Sequence, residues 1–262
     1  HILSRDQIFI KSPILVDDKL KYSKKLKIKN SESEVRIFNK DLEIIFDKLN
    51  GDFKKYSVNG MDLISSSPNL NFWRAPIDND YGNGLPERSA AWKTASYDRT
   101  FVDLKTEKMG KLMSVTTNFK LKNINSNYST VYTVHPNGKI EVSTKFSYGG
   151  QLKDAQMPRF GLNFNIPSQF DKANWYGRGP HENYIDRMSS AFVGYYESTV
   201  DNLKFDYSRP QENGYRTENR WLKMVNSDGK GFEIKGDPFF SFGAHFNTCL
   251  LYTSPSPRDQ EA

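Results

Sequence analysis

The chain has 262 residues with a formal net charge of +6, 37% hydrophobic and 26% charged, which allows one large domain or two smaller ones and predicts a soluble chain. No uninterrupted apolar run approaches bilayer-spanning length, so a membrane-spanning helix is excluded. Cys249 is the single cysteine, which excludes an internal disulfide and a cysteine zinc cluster.

The first residues, HILSRDQIFI, hold no initiator methionine and no basic-then-apolar leader, so a targeting signal is expected to be missing and the compartment stays open between cytoplasm and periplasm. The lysines gather mainly in KLKYSKKLKIK, residues 19–29, without the repeated aromatic or arginine pattern of a base reader. That stretch is read as a solvated linker or surface strand, and no nucleic-acid partner is expected.

Strand patterning follows. EVRIF, LEIIFD and KKYSVNG are apolar or aromatic runs separated by turn signals such as Asn50-Gly51 and Asn59-Gly60. SVTTNFKL alternates Val115, Thr117, Phe119 and Leu121 on one side, and KIEVSTKFSY does the same with Ile140, Val142, Thr144, Phe146 and Tyr148. RFGLNFNI repeats the pattern with Phe160, Leu162, Phe164 and Ile166, so all three are expected to be half-buried strands. GFEIKG and FFSFGAHF continue the series, and Asn137-Gly138 and Asp228-Gly229 mark further hairpins. Helical periodicity is weak, with at most a short turn near residues 89–94. The class is therefore all-β, with a large antiparallel sandwich expected.

Three stretches concentrate polar groups beside aromatics: NFWRAPIDNDYGNG (71–84), NWYGRGPHENYIDR (174–187) and YSRPQENGYRTENRW (207–221). Arginine, carboxylates, amides and large rings are the ingredients for binding a polyhydroxylated ligand. They equally lock irregular loops, because buried backbone groups need partners. Trp175, Arg178, His181, Glu182, Asn183, Arg209, Glu212 and Asn213 are candidates for either role. In extended chain, Asp78 and Asp80 would share one face, as paired glycosidase carboxylates must, while Arg74 would neutralise one of them. His181 beside Glu182 has the makings of a proton shuttle. His135 and His245 stand apart, so no metal-ligand spacing is seen.

In this order the three stretches resemble the C-terminal small-chain β-sandwich of the large β-galactosidases of glycoside hydrolase family 2. The resemblance covers residues 34–248 and implies a galactose mutarotase-like supersandwich. It further implies that residues 1–10 are the last strand of a preceding immunoglobulin-like domain and that 11–33 are a linker. In that family the two catalytic carboxylates of a retaining mechanism lie in an upstream TIM barrel, so no catalytic residue is expected in this chain, and none of its residues is expected to hold a cofactor. Mg²⁺ and Na⁺, which family members often bind, are held mainly by the barrel. The resemblance implies a β-galactoside substrate, the barrel of the same parent chain as partner, and a homo-oligomeric parent.

Carried across residue by residue, Gly82, Asn83, Gly84, Leu85, Pro86 and Glu87 correspond to a loop that closes over the active site, with Gly82 as its hinge, and Arg74, Asp78, Asn79 and Asp80 to its fixed support. Residues 249–262 leave the family pattern. Their wording is similar to sequencing-adapter read-through, so an artefactual tail is expected there in place of a family segment whose tryptophan reaches the galactose pocket; without the barrel's acid and nucleophile the 262 residues are expected to be inactive alone. Two other readings are a stand-alone carbohydrate-binding module and an aldose 1-epimerase-like protein, the latter needing His181 to face Glu182 or Glu212.

Overall fold

In the computed structural model the described residues are 7, 25–95, 97–150, 156–208 and 211–246. They fall into two compact units, one within Lys21–Pro167 and the other within Ser168–Ala262 together with Gln7 of the His1–Leu20 segment. The span 34–248 read as one domain thus contributes to both units. The immunoglobulin-like remnant, Gln7 apart, and the tail at 249–262 lie outside the described residues.

The first unit begins with an antiparallel meander: β1 (Lys27–Asn30), β2 (Glu34–Phe38), β3 (Leu42–Asp47), β4 (Phe53–Val58) and β5 (Met61–Asp62). Of the span 11–33 read as a linker, residues 11–24 lie outside the described residues, and Lys27–Asn30 is a strand, since β1 pairs with β2 along its whole length. Its exposed residues make it the surface strand that the lysine content allowed. The β4–β5 turn works because Asn59 and Gly60 both take positive φ, 52° and 78°, which matches the twist of tight hairpins.

After β6 (Asn69–Asn71) come three short helices: α1 (Asp78–Gly82), α2 (Leu85–Arg88) and α3 (Ala90–Ala95). A second meander follows, with β7 (Arg99–Met109), β8 (Leu112–Leu121), β9 (Ser126–Val134) and β10 (Ile140–Ser147) in the order β10-β9-β8-β7. The two sheets face each other as a sandwich. Val35, Ile37, Ile44 and Phe46 of one meet Val115, Tyr132 and Val134 of the other. Rings of Phe46, Phe53 and Tyr132 lie within 4.7 to 5.3 Å of one another, so packing accounts for much of the aromatic content here.

The alternation in SVTTNFKL is seen in β8, where Val115, Thr117, Phe119 and Leu121 are all buried. RFGLNFNI behaves otherwise. Only β11 (Gly161–Asn163) forms, paired with β6, and Phe160 and Leu162 are exposed. Alternation fixes which side chains share a face; a partner layer decides whether that face is covered.

The second unit is built on a four-stranded antiparallel sheet of β12 (Lys172–Gly179), β13 (Phe192–Thr199), β14 (Arg216–Val225) and β15 (Gly231–Phe242), ordered β13-β12-β14-β15. Trp175, Ala173, Leu222 and Met224 point to its buried side. All strand pairings between named strands are antiparallel, and the chain is an all-β protein. Among the described residues no helix is long and apolar enough to cross a membrane.

Candidate functional site

The stretch 71–88 is a corner built on α1 and α2. Phe72 and Trp92 pack with tilted rings 5.5 Å apart and anchor the stretch in a buried cluster with Leu70, Leu121 and Ile124. Pro76 disfavours helix in the residue before it, and α1 starts two residues later. Asp80, the third helical residue, turns its carboxylate back and accepts the Ile77 N–H at 2.9 Å. Arg74 grips the same carboxylate with two parallel bonds, at 2.5 and 3.0 Å. Burial alone would raise the Asp80 carboxyl; the Arg74 fork and the Ile77 N–H outweigh it and hold the pKa below its usual value.

The extended geometry expected for Asp78 and Asp80 is therefore corrected. Both lie in α1, where residues two apart point to nearly opposite sides, so Asp78 and Asn79 are exposed while Asp80 is buried. Short helices escape a periodicity search because one turn offers too few repeats. Asp78 sits in the first turn, where a negative charge suits the helix terminus.

The segment read as a lip is likewise more ordered than a loop. Gly82 closes α1, Asn83 follows it, and the Asn83 and Gly84 N–H groups donate to Asn79 O and Tyr81 O. The left-handed position is Gly84, φ +70°, not Gly82, whose surroundings are open within 4 Å. Any hinge that needs positive φ sits two residues later than expected. Leu85 is buried and Pro86 occupies the start of α2, which fixes the segment from below, while Glu87 is exposed.

In the second unit the other two motifs come together. Glu182 is nearly buried, its side chain 8% exposed, and its carboxylate accepts from Arg187, from the Tyr207 hydroxyl and, at 2.8 Å, from the Gly214 N–H. Tyr184 lies near Glu182 and Glu212; burial and then those two carboxylates push its phenol upward. Asn183 is fully buried and satisfied. Its Oδ1 accepts from Thr217 N and Thr217 Oγ1 at 3.0 and 2.6 Å, and its amide donates to His181 O. Asn213 exchanges two bonds with the Phe205 backbone. Trp175 is a core side chain whose indole N–H donates to Arg178 O at 3.0 Å.

Arg178 bonds Glu218 at 2.8 Å and the carbonyls of Met188 and Ala191. Glu212 is buried. Arg209 lies outside the described residues. His181 does not work with Glu182: its ring meets Ser190 Oγ at 3.2 Å, while the carboxylate is taken up elsewhere. The shuttle read from their adjacency is corrected, and His181 does not supply an epimerase pair with Glu182.

Sequence reasoning singled out neither Arg216 nor Asn219. Arg216 is buried and donates to Leu203 O, Gly214 O and Pro180 O at 2.6, 2.9 and 3.1 Å. Burial pulls its pKa down to about 10, against the attraction of Glu182. Asn219 ties the Arg216 and Phe240 carbonyls together at a bulge in β14. An arginine and an amide inside an otherwise strand-like run were the available signal. Among the described residues no three His, Cys, Asp or Glu side chains are grouped to hold a metal.

Fold and site define an antiparallel β-sandwich module whose motif carboxylates Asp80, Glu182 and Glu218 are gripped by arginine. Its family is shown by sequence. The chain belongs to the beta galactosidase small chain family, which matches residues 38–253, five residues into the stretch set apart as a tail. It is 32% identical over 219 residues to a beta-galactosidase of Priestia megaterium, covering 84% of this chain and 21% of the relative. A beta-galactosidase of Lactobacillus delbrueckii subsp. bulgaricus is 30% identical over 223 residues, 85% of this chain and 21% of the relative. One of Kluyveromyces lactis is 31% identical over 219 residues, 79% and 21%. The chain spans about a fifth of the length of these relatives.

Proposed function

We propose that this chain is the small-chain portion of a retaining β-galactosidase whose parent cleaves terminal β-D-galactosyl bonds, with acid and nucleophile supplied by a barrel encoded upstream. In this reading residues 82–87 form part of the rim of the substrate pocket, and Arg74 with Asp80 holds that rim in place. The observation that carries it is the construction of the corner. A buried, triply bonded Asp80 sits directly beneath exposed Tyr81, Gly82 and Asn83, so a solvent-facing edge rests on a rigid base. The family match supplies the reaction class, since fold by itself does not.

The reading frame upstream of His1 is the direct test. A barrel with paired glutamates is expected there; a start codon immediately before His1 would overturn the reading. The 262 residues alone are expected not to hydrolyse a chromogenic β-galactoside. Turnover by this chain that disappears on changing Asp78, Asp80 or Glu182 would place the chemistry here instead.

A further inference from the structure

The sheet of the second unit is unlike on its two sides. Its inner side is the expected mixture of Trp175, Ala173, Leu222 and Met224. On the outer side the strand registers place Tyr195, Tyr176, Trp221 and Lys235 in one row across all four strands. The next row on that side holds Glu197, Asn174, Lys223 and Glu233. Neither row contains an aliphatic side chain.

Tyr195 lies parallel to Tyr176, with ring centroids 4.7 Å apart and planes within 15°. One face of its ring is thus backed, yet the residue is 74% exposed, so the opposite face is open to solvent. Trp221 stands 5.8 Å from Tyr195 as a second ring. Charged groups border the rings: Arg178 is bound to Glu218 at 2.8 Å, Lys235 and Lys223 reach Glu233 at 3.0 and 3.7 Å, and Lys223 Nζ also lies 5.1 Å from the Trp221 ring centroid. Arg220 covers Tyr176 and Phe239 rather than a carboxylate. Glu218 itself is held at φ 52° in the β14 bulge, and non-glycine residues kept at positive φ are strained and cluster at ligand sites.

We propose that this outer face binds a neutral oligosaccharide, one pyranose ring stacking by its apolar C–H face on the open side of Tyr195. The polar groups that ring needs at its edge are in the neighbouring row beside Tyr195 and Tyr176: the Glu197 carboxylate and the Asn174 amide. A protein partner fits less well, because the centres of protein interfaces are depleted in lysine and glutamate and these rows are rich in both. Every residue lies in one sheet of this chain, so the proposal does not depend on an upstream domain.

The test uses the whole 262-residue chain with lactose and a β-1,4-linked galactotetraose as probes, followed by tryptophan fluorescence and saturation-transfer NMR. Saturable binding is expected, and it should persist in about 0.5 M NaCl, where exposed ion pairs are screened. Tyr195→Ala should weaken it about tenfold, the loss of one stacking contact. Tyr195→Phe keeps the ring and should stay within about twofold. Tyr195→Phe keeps the stack on Tyr176 and should leave the melting temperature unchanged, whereas Tyr195→Ala loses that stack and should lower it modestly while the chain stays folded at the temperature of the binding assay. No saturation by either sugar up to about 10 mM, equal binding by Tyr195→Ala and the unsubstituted chain, or loss of binding in salt would each overturn the proposal. None of these results bears on turnover, so this proposal and the galactosidase reading fail separately.

Discussion

Arg74 and Arg216 each hold one motif region in place, but with opposite kinds of partner. Arg74 forks onto a buried carboxylate, which itself caps a helix. Arg216 spends its guanidinium on three backbone carbonyls and lies over the Trp175 ring. The first arrangement neutralises charge and lowers the pKa of its acid; the second buries a cation against dipoles and lowers the pKa of the base. A helix terminus offers one carboxylate as its centre, whereas a turn between strands leaves several carbonyls to be gathered, and arginine with five donors serves both.

Arg216 carries the larger expected effect. Arg216→Leu removes donors from three carbonyls at once and should cost about 3 kcal/mol, read from urea unfolding with hydrogen exchange across β12 and β14. That cost should be flat between pH 4 and 8, because the arginine is a cation in folded and unfolded chain throughout that range. A cost under about 1 kcal/mol would show that water replaces the guanidinium.

Arg74→Leu should cost about 2 kcal/mol, less than a fully buried pair because the Arg74 side chain is 22% exposed. Here pH matters. The folded pKa of Asp80 is lowered, so its contribution is present above the ordinary carboxylate range and lost as pH falls through the folded value. Comparing the unsubstituted chain with Asp80→Asn, which should lose about 1 kcal/mol at pH 7, the gap should close on acidification toward pH 3. A gap that does not change with pH would remove the charge from the account of this corner.

The two glycines of the corner carry the smallest effects. Gly84→Ala places a side chain at φ +70° and should cost about 1 kcal/mol, whereas Gly82→Ala, in open space and outside the left-handed region, should change stability by less than about 0.5 kcal/mol. Equal effects on melting would contradict the backbone geometry. In a full-length parent, an effect of Gly82→Ala on inhibitor affinity without one on stability would restore Gly82 as the hinge.

Much of this molecule was set by local sequence. The alternation in SVTTNFKL and the Asn59-Gly60 pair act over a few residues, through the period-two pleat and the φ values a tight turn requires, so strands and hairpins were readable directly. That Arg74 would pair with one of the two aspartates was readable too, since they follow it within six residues, but the turn of α1 decided for Asp80. Tertiary structure decided the rest. Phe160 and Leu162 alternate like core residues yet stay exposed, although the Phe160 ring lies 6.0 Å from those of Phe72 and Phe146. Glu182 sits beside His181 in sequence yet is bound by Tyr207 and Gly214 from another segment. Tyr176, Tyr195 and Trp221 share a face only because strands 19 to 45 residues apart align in one register. Side-chain periodicity is a property of one strand, whereas burial, pairing and strain belong to contacts between strands, and those exist only once the chain has folded.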